Sequence, residues 1–142
     1  MIDRAPVTEA FRLMLTQATG KPCGIGALPL LGGKPAPLPY FVLYPLGGST
    51  DGAPLADQSE DAALDYQVTA VAGRTDQAEW LGDRARRAVL ERRATGEWSH
   101  PIKVPAGDIW ARELVSDDGV DRPETSQGVV TYPLRFRFQV TG

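Results

Sequence analysis

The sequence predicts an α/β (α+β) domain in which two helices cover one face of a small mixed or antiparallel sheet of about four strands. Residues 132–140 alternate apolar and polar side chains, which is the period of a strand with one buried face. Two upstream segments instead repeat apolar residues at the three- and four-residue spacing of an amphipathic helix. A closing strand this apolar needs paired neighbours and a cover, and the two helices supply that cover.

The first helix is predicted over residues 6–19. Pro6 suits the first helical turn, where its missing N–H group leaves no hydrogen bond unmade. Gly20 followed by Pro22 ends the helix. The buried stripe is formed, together with Ile2 ahead of the helix, by Val7, Ala10, Phe11, Met14, Leu15 and Ala18.

Residues 20–39 are rich in glycine and proline, which predicts an irregular connection with an apolar patch at residues 25–31. Residues 40–44 are then apolar at every position. Such a run predicts a strand that is buried on both faces. Pro39 and Pro45 bracket this strand.

A long loop is predicted at about residues 46–63. Gly47-Gly48 and Asp51-Gly52 are turn signals, and three acidic residues follow them: Asp57, Glu60 and Asp61. Loops longer than about 12–15 residues in a compact domain are uncommon and are often functional or mobile. The loop is therefore a candidate for contact with a neighbouring molecule, and a solvated acidic loop is the alternative.

The next two elements are a strand at residues 64–71 and a helix at residues 76–94. Thr75 can cap this helix through its hydroxyl group, and Gly96 supplies a left-handed stop. The buried stripe of the helix consists mostly of small residues, so the helix can lie close to the sheet. It is formed by Ala78, Leu81, Ala85, Ala88 and Val89.

The last two strands are predicted at residues 109–115 and 129–140, as an antiparallel hairpin with a long connection. Asp117-Asp118-Gly119 marks the turn that leaves the first of them. With no internal repeat and no low-complexity segment, residues 1–142 are predicted to form a single domain.

Composition limits the partners that we expect. The net charge of −3 predicts no broad attraction to nucleic acid or to an anionic membrane. No stretch reaches the roughly 18 apolar residues of a membrane span, and residues 1–6 lack the apolar core of a signal peptide. The single cysteine, Cys23, excludes an intrachain disulfide and favours a reducing compartment. We expect a cytosolic protein without membrane contact, unless a larger particle carries it out.

No catalytic, cofactor or metal site is predicted, and we do not expect an enzyme. His100 is the only histidine and has no set of metal ligands at suitable spacings, so it is interpreted as a loop residue. Cys23 has no activating base nearby and is interpreted as a small packing residue. The aspartates around residue 118 lack the remaining ligands and the closing glutamate of a calcium loop, so they indicate a solvated turn.

The second helix carries five arginines, which allow a phosphate-binding face as one interpretation. Four acidic residues are interleaved with them, so a solvated or subunit-facing charged helix is the favoured interpretation, and ionic contact with another protein is a third. The arginines are Arg84, Arg86, Arg87, Arg92 and Arg93, and the acidic residues are Asp76, Glu79, Asp83 and Glu91.

Arg135 and Arg137 lie on the polar face of the closing strand. From there they can reach acidic groups of a neighbouring subunit, and the acidic stretch at residues 57–65 has the opposite charge. The candidate subunit-interface residues are therefore Asp57, Glu60, Asp61, Arg135 and Arg137. Reversal of both arginines to glutamate is expected to break assembly.

The order of elements, together with several short strings, resembles the tail terminator (tail completion) proteins of long-tailed bacteriophages, particularly those of actinobacterial hosts. The resemblance runs from about residue 38 to the end of the chain and includes the first helix in outline. Residues 20–37 depart from the family. The strings are LPYFVLYP at residues 38–45, LAD at 55–57, YQVTAVAG at 66–73, QAEWLGDR at 77–84 and YPLRFRF at 132–138.

This resemblance implies a structural virion protein of the head–tail junction, assembled in the host cytoplasm. It implies a closed homo-oligomeric ring, typically a hexamer, on the head-proximal end of the tail tube. The ring stops tube polymerisation and offers a docking surface to the head–tail connector protein. Its partners are further copies of itself, the tail tube protein and the connector, while DNA passes through the lumen without specific binding.

Two other functions remain open at this point. One is a head–tail connector or another minor tail component, because such proteins share small α/β folds. The other is a small nucleic-acid-binding domain that uses the second helix. Steeply salt-dependent DNA binding by a monomer would favour the latter.

Overall fold

A computed structural model of the chain describes residues 2–52, 60–105, 107–121 and 128–141. It confirms the predicted fold class: two helices, a mixed five-stranded sheet and a separate two-stranded ribbon. In chain order the elements are α1 (Arg4–Thr19), β1 (Cys23–Ile25), β2 (Leu30–Leu31), β3 (Lys34–Pro35), β4 (Tyr40–Gly52), β5 (Glu60–Ala72), α2 (Thr75–Leu90), β6 (Asp108–Asp117) and β7 (Val130–Thr141).

The strand order in the main sheet is β1-β4-β5-β7-β6. β1 runs parallel to β4, and the other three neighbouring pairs are antiparallel. The predicted antiparallel pairing of the last two strands, β6 and β7, is thereby confirmed. β2 and β3 pair only with each other among the described residues.

One face of the sheet forms the core together with both helices. β7 alternates from Tyr132 to its end, with one buried side chain at every second position. β5 does so from Asp61 to Val68, after which residues 69–72 are all buried. The paired register places Tyr66 beside Phe136, Leu64 beside Phe138 and Val68 beside Leu134. α1 contributes Val7, Phe11, Met14 and Leu15, and α2 contributes Ala78, Leu81, Ala85, Ala88 and Val89.

Phe11 of α1 is the central aromatic residue of this core. Its ring centroid lies 4.7 Å from that of Phe138, 5.3 Å from that of Tyr66 and 6.5 Å from that of Phe136, each in an edge-on arrangement. Aromatic pairs in this geometry contribute about 0.5–1.5 kcal/mol each beyond their area burial. The contacts hold α1 over the middle of the sheet.

The predicted loop at residues 46–63 is largely strand in the structure. β4 continues to Gly52 and β5 begins at Glu60, while Asp57 lies outside the described residues. The glycines that indicated a loop, Gly47 and Gly48, instead accompany a β-bulge in β4. Gly47, with φ of +89°, follows the unpaired Leu46, and Gly48 lies so close to β5 that an added Cβ would meet Ala63 O at 1.9 Å.

Three further expectations need correction. The connection at residues 20–39 is not wholly irregular, since it contains β1, β2 and β3. The second helix ends at Leu90 rather than residue 94, because the chain turns back to pair Arg92 with Trp98. The strand predicted to be buried on both faces is so only in part: Val42 is buried, whereas Tyr44 is 37% exposed.

Small differences occur at the helix ends. The first helix begins at Arg4, two residues before the predicted start. The N-cap residue of α2 is Arg74, which makes no side-chain capping hydrogen bond, and Thr75 is the first helical residue rather than the cap. Neither helix of the described residues is long and apolar enough to cross a membrane.

Candidate functional site

Both helices lie on one face of the sheet, and the opposite face carries the arginines that the sequence singled out. Val42, Thr69 and Val71 on this opposite face are buried, so only its polar part is open. Across the paired strands, Asp65 of β5, Arg137 of β7 and Glu113 of β6 form one row. Next to it, Gln67, Arg135 and Ser116 form a second row. The strand alternation that buries Phe136 and Phe138 in the core places both arginines on this polar face.

Arg137 forms a bidentate ion pair with Asp65 of its own chain. The distances are 2.8 Å from Nε to Asp65 Oδ1 and 3.2 Å from Nη2 to Asp65 Oδ2. Nη1 also lies 3.9 Å from Glu113 Oε1. The hydrogen bond to Asp65 and the nearby carboxylates raise the pKa of Arg137, so its charge is permanent at physiological pH.

Arg135 is exposed on the same face and has no ion-pair partner within 4 Å among the described residues. Its neighbours across the ladder, Gln67 and Ser116, are uncharged. Of these two arginines, Arg135 is therefore the one without an ion-pair partner among the described residues, and it can meet an acidic group from outside the chain.

The acidic residues predicted to pair with these arginines are Glu60 and Asp61 at the start of β5, together with Asp57 outside the described residues. Glu60 is the first residue of β5, and Asp61 follows it on an exposed position. Asp61 Oδ1 accepts a hydrogen bond of 3.0 Å from Thr141 Oγ1. Pairing of this acidic segment with the arginines of another subunit stays a prediction, and the structure adds the Asp65–Arg137 pair within one chain.

A second polar network, which the sequence did not reveal, joins α2 to the β6–β7 hairpin. The Tyr132 hydroxyl donates a hydrogen bond of 2.6 Å to Asp117 Oδ1, and Arg86 Nη1 donates to both residues at 2.9 and 2.5 Å. Arg86 also pairs with Asp83 on the same helix. The hydrogen bond from Tyr132 lowers the pKa of Asp117, whereas burial raises the pKa of Tyr132 to about 12.

This network changes the interpretation of Asp117. The sequence Asp117-Asp118-Gly119 indicated a solvated turn, and Gly119 N does donate to Asp117 Oδ1 at 3.2 Å. The other carboxylate contacts, however, fix the position of α2 on the sheet. The spacing of 15 and 31 residues between Asp117 and its partners gives no local signal that sequence reasoning could detect.

The rings of two tryptophans contact further arginines, which lie in α2, just after it and in β6. Arg84 lies over the Trp80 ring, with its guanidinium carbon 4.6 Å from the ring centroid. Arg92 and Arg112 both lie near the Trp98 ring, at 3.8 and 4.5 Å. Three of the five arginines that suggested a phosphate-binding face (Arg84, Arg86 and Arg92) therefore contact their own chain.

Arg112 has a structural role at the end of α2. Its side chain is only 8% exposed, and its Nη1 donates a hydrogen bond of 3.1 Å to Val89 O near the helix C-terminus. A cation at this end of a helix meets the negative pole of the helix dipole. Burial nevertheless lowers the pKa of Arg112 to about 10, with a further contribution from the Arg92 charge.

Cys23 and His100 lie apart from these networks. Cys23 is buried, and burial raises the pKa of its thiol from the ordinary value of 9.0 to about 12, so the reactive thiolate is disfavoured. His100 lines a groove of about 500 Å³ between α1 and residues 100–103, beside Lys103 and Leu13. Within the described ranges, no three His, Cys, Asp or Glu side chains are grouped in a way that could hold a metal ion.

Comparison with known proteins yields a fold relationship. No protein-family model matches the chain, and no curated protein matches it. Among solved structures, the chain is similar to one from the virion of a native gene transfer agent (GTA) particle, with a TM-score of 0.59 and 19% sequence identity. The alignment covers 98% of this chain and 94% of that chain, so the shared fold extends over almost all of both.

Proposed function

We propose that this protein is a structural component of the virion of a tailed, phage-like particle. The observation that carries the proposal is the fold that it shares, over nearly the full length of both chains, with a chain of the GTA virion. The strings that resemble tail terminator proteins come from the sequence and are independent of that comparison. Both lead to the same class of protein.

Within that class, we propose that copies of the chain close into a ring, a hexamer by resemblance, on the head-proximal end of the tail tube. A ring built from one kind of subunit needs two different complementary surfaces on each copy. The five-stranded sheet supplies two different ends, β1 and β6, and a polar face formed by β5, β7 and β6. Arg135 on that face is a charged group available to a neighbour.

The ring would stop tube growth because it occupies the surface at the end of the tube to which the next layer would bind. A tail tube grows because each added layer presents the surface that the next layer binds, so a terminal ring with a different outer surface ends growth. That outer surface then receives the head–tail connector. The net charge of −3 suits a conduit for DNA, because a strongly cationic lumen would retain the passing phosphates. We propose a structural rather than a catalytic role throughout.

A head–tail connector or another minor tail component is the second candidate, because the shared fold supports any small virion protein of this shape. The two differ in where the protein binds. A terminator binds the end of an isolated tail tube, whereas a connector of the head binds the portal and leaves tube growth unchanged.

Negative-stain imaging of the purified protein, alone and with tubes assembled from the tail tube protein of the same genome, tests the proposal. We expect rings of uniform diameter, one ring at a single end of each tube, and tubes that stop growing when the protein is added. Solitary molecules with unchanged tube growth would contradict the terminator function. Binding to isolated portals without an effect on tubes would favour the connector.

A further inference from the structure

Large apolar side chains are exposed at both ends of the sheet. The connection from β1 to β4 contains the short β2–β3 ribbon; we call residues 28–38 the leucine arm. Leu30 and Leu31 on it are 61% and 55% exposed, and Leu28 and Leu38 are also exposed. At the other end of the sheet, Trp110 of β6 is 55% exposed and Val115 is 45% exposed. Contiguous exposed apolar groups commonly mark interaction sites.

The exposed residues of β6 stand where its ladder with β7 is interrupted. The register shifts between Ile109 and Ala111 and again between Leu114 and Ser116, so Trp110 and Val115 are the two bulged residues. A bulge disturbs the regular strand edge and redirects the side chain. It also blocks simple edge-to-edge pairing with another strand. A partner of this edge must therefore bind through side chains.

The two ends also have opposite charge. Residues 20–50 contain Lys21 and Lys34 and no acidic residue, and Lys34 is exposed on the leucine arm. Residues 108–118 contain four acidic residues and a single basic one, Arg112, which is buried. Asp108 and Glu113 are exposed on the same strand as Trp110. Such complementarity orients association and selects the partner.

We propose that the leucine arm of one copy packs on the β6 edge of the next copy, with its leucines against Trp110 and Val115 and Lys34 near Asp108 and Glu113. The inference rests on the proposed ring, because only a head-to-tail contact uses opposite ends of the same sheet. It assigns a role to residues 28–37, which are part of the segment, residues 20–37, in which the sequence departs from the resembled family.

Two variants with complementary defects test the contact. Leu30→Asp with Leu31→Asp disables the arm and leaves the β6 edge intact; Trp110→Asp disables the edge and leaves the arm intact. Each variant alone is expected to stay monomeric at concentrations about tenfold or more above those at which the wild type assembles. Mixed together, they retain one good contact and should form a 1:1 heterodimer and nothing larger, measured by sizing with light scattering.

Leu13→Asp is the matched control, because Leu13 is a similarly exposed leucine on α1 whose groove neighbours, in α1 and residues 100–103, belong to neither surface. It should assemble like the wild type, and circular dichroism and urea unfolding verify that every variant is folded. As a second readout, Glu113→Lys should restore the assembly lost in Lys34→Glu.

The outcomes distinguish a failure of the arm-to-edge contact from a failure of the proposed ring. If the wild type forms rings and the arm and edge variants also assemble, the proposed contact is wrong and the proposed function still holds. Assembly of the edge variant but not the arm variant would overturn it too, in favour of an arm-to-arm contact. A wild type that stays monomeric alone and with tubes would overturn the ring itself.

Discussion

Gly82 of α2 lies directly on the ring of Tyr132 in β7, and a Cβ atom added to Gly82 would stand 2.8 Å from Tyr132 Cδ2 and Cε2. A movement of the ring would disturb the hydrogen bonds of its hydroxyl with Asp117 and Arg86. The small-residue stripe of α2 predicted a helix close to the sheet. The contact shows how close the two elements are.

Gly82→Ala tests this packing. In an exposed helix the change would stabilise the protein by about 1 kcal/mol, since glycine is a poor helix former. Here we expect a net loss of about 1–3 kcal/mol in the free energy of unfolding, because the new methyl group overlaps the ring. Urea unfolding measures it. In a Tyr132→Ala background, the same change should stabilise; destabilisation of equal size in both backgrounds would contradict the assigned contact.

Thr8 and Tyr66 form a buried polar contact between α1 and β5, with 3.0 Å between Thr8 Oγ1 and the Tyr66 hydroxyl. Thr8 Oγ1 also donates to Arg4 O at 3.2 Å, so the Tyr66 hydroxyl is the donor to Thr8. Tyr66→Phe leaves Thr8 with a partner and should lower the free energy of unfolding by about 0.5–1.5 kcal/mol.

Thr8→Val should cost more, about 1–3 kcal/mol, because it leaves the buried Tyr66 hydroxyl without its acceptor. Tyr66→Phe combined with Thr8→Val removes both polar groups and should be less destabilising than the sum of the single changes. Urea unfolding of the three variants measures these differences. Equal effects of the two single changes would show that the hydroxyl finds another partner.

Cys23 makes the stability of the protein depend on pH under alkaline conditions. The buried thiol stays protonated up to a pKa of about 12, whereas in the unfolded chain it releases its proton above about 9.0. The unfolded state therefore binds fewer protons between these values, and the free energy of unfolding falls as pH rises. The expected loss is about 1.4 kcal/mol per pH unit within this window and none below it.

Cys23→Ala should remove this slope while it lowers stability by a constant amount through the lost packing. The comparison is therefore of slopes, from urea unfolding of both proteins at several pH values between 8 and 11 (roughly the accessible part of the window). Arg112 and the tyrosines are present in both proteins, so their titration cancels in the difference. Identical slopes would show that water reaches the thiol in the folded state.

Strand alternation and helical periodicity allowed the core elements to be predicted, because each of those signals lies within one short segment. Phe136 and Phe138 on one side and Arg135 and Arg137 on the other follow from a period of two alone. β1 could not be predicted in the same way. Its three residues, Cys23–Ile25, contain too few side chains for a period and depend on β4 for their hydrogen bonds.

The candidate site was predicted less completely. The sequence places Arg137 and Asp65 on polar strand positions, but not the register that sets them side by side, because register depends on the whole sheet. Bulges at Leu46, Trp110 and Val115 are equally invisible in a single sequence. Glycine near residue 47 therefore indicated a loop, although it accompanies a bulge within a continuous strand.

Arg135 and Arg137 can now be separated by experiment, because of the two only Arg137 has an ion-pair partner among the residues that the structure describes. Arg135→Glu should leave the urea unfolding transition close to that of the wild type and weaken ring assembly. Arg137→Glu should affect both, because it sets two carboxylates, those of residue 137 and Asp65, side by side on adjacent strands. Sedimentation velocity and urea unfolding of each variant measure the two effects.

The swap Asp65→Arg with Arg137→Asp supplies the matched control, because it keeps the cross-strand pair and reverses its direction. It should restore only part of the stability lost in Arg137→Glu: the attraction between β5 and β7 returns, but the new carboxylate at position 137 lies beside Glu113 on β6. If assembly also returns, Arg137 acts on the ring only through the shape of the sheet, and Arg135 is the group that meets the neighbour. If stability returns without assembly, the cation at position 137 itself faces the neighbour. If the Arg135→Glu variant forms rings at the same protein concentration as the wild type, Arg135 is not part of the interface.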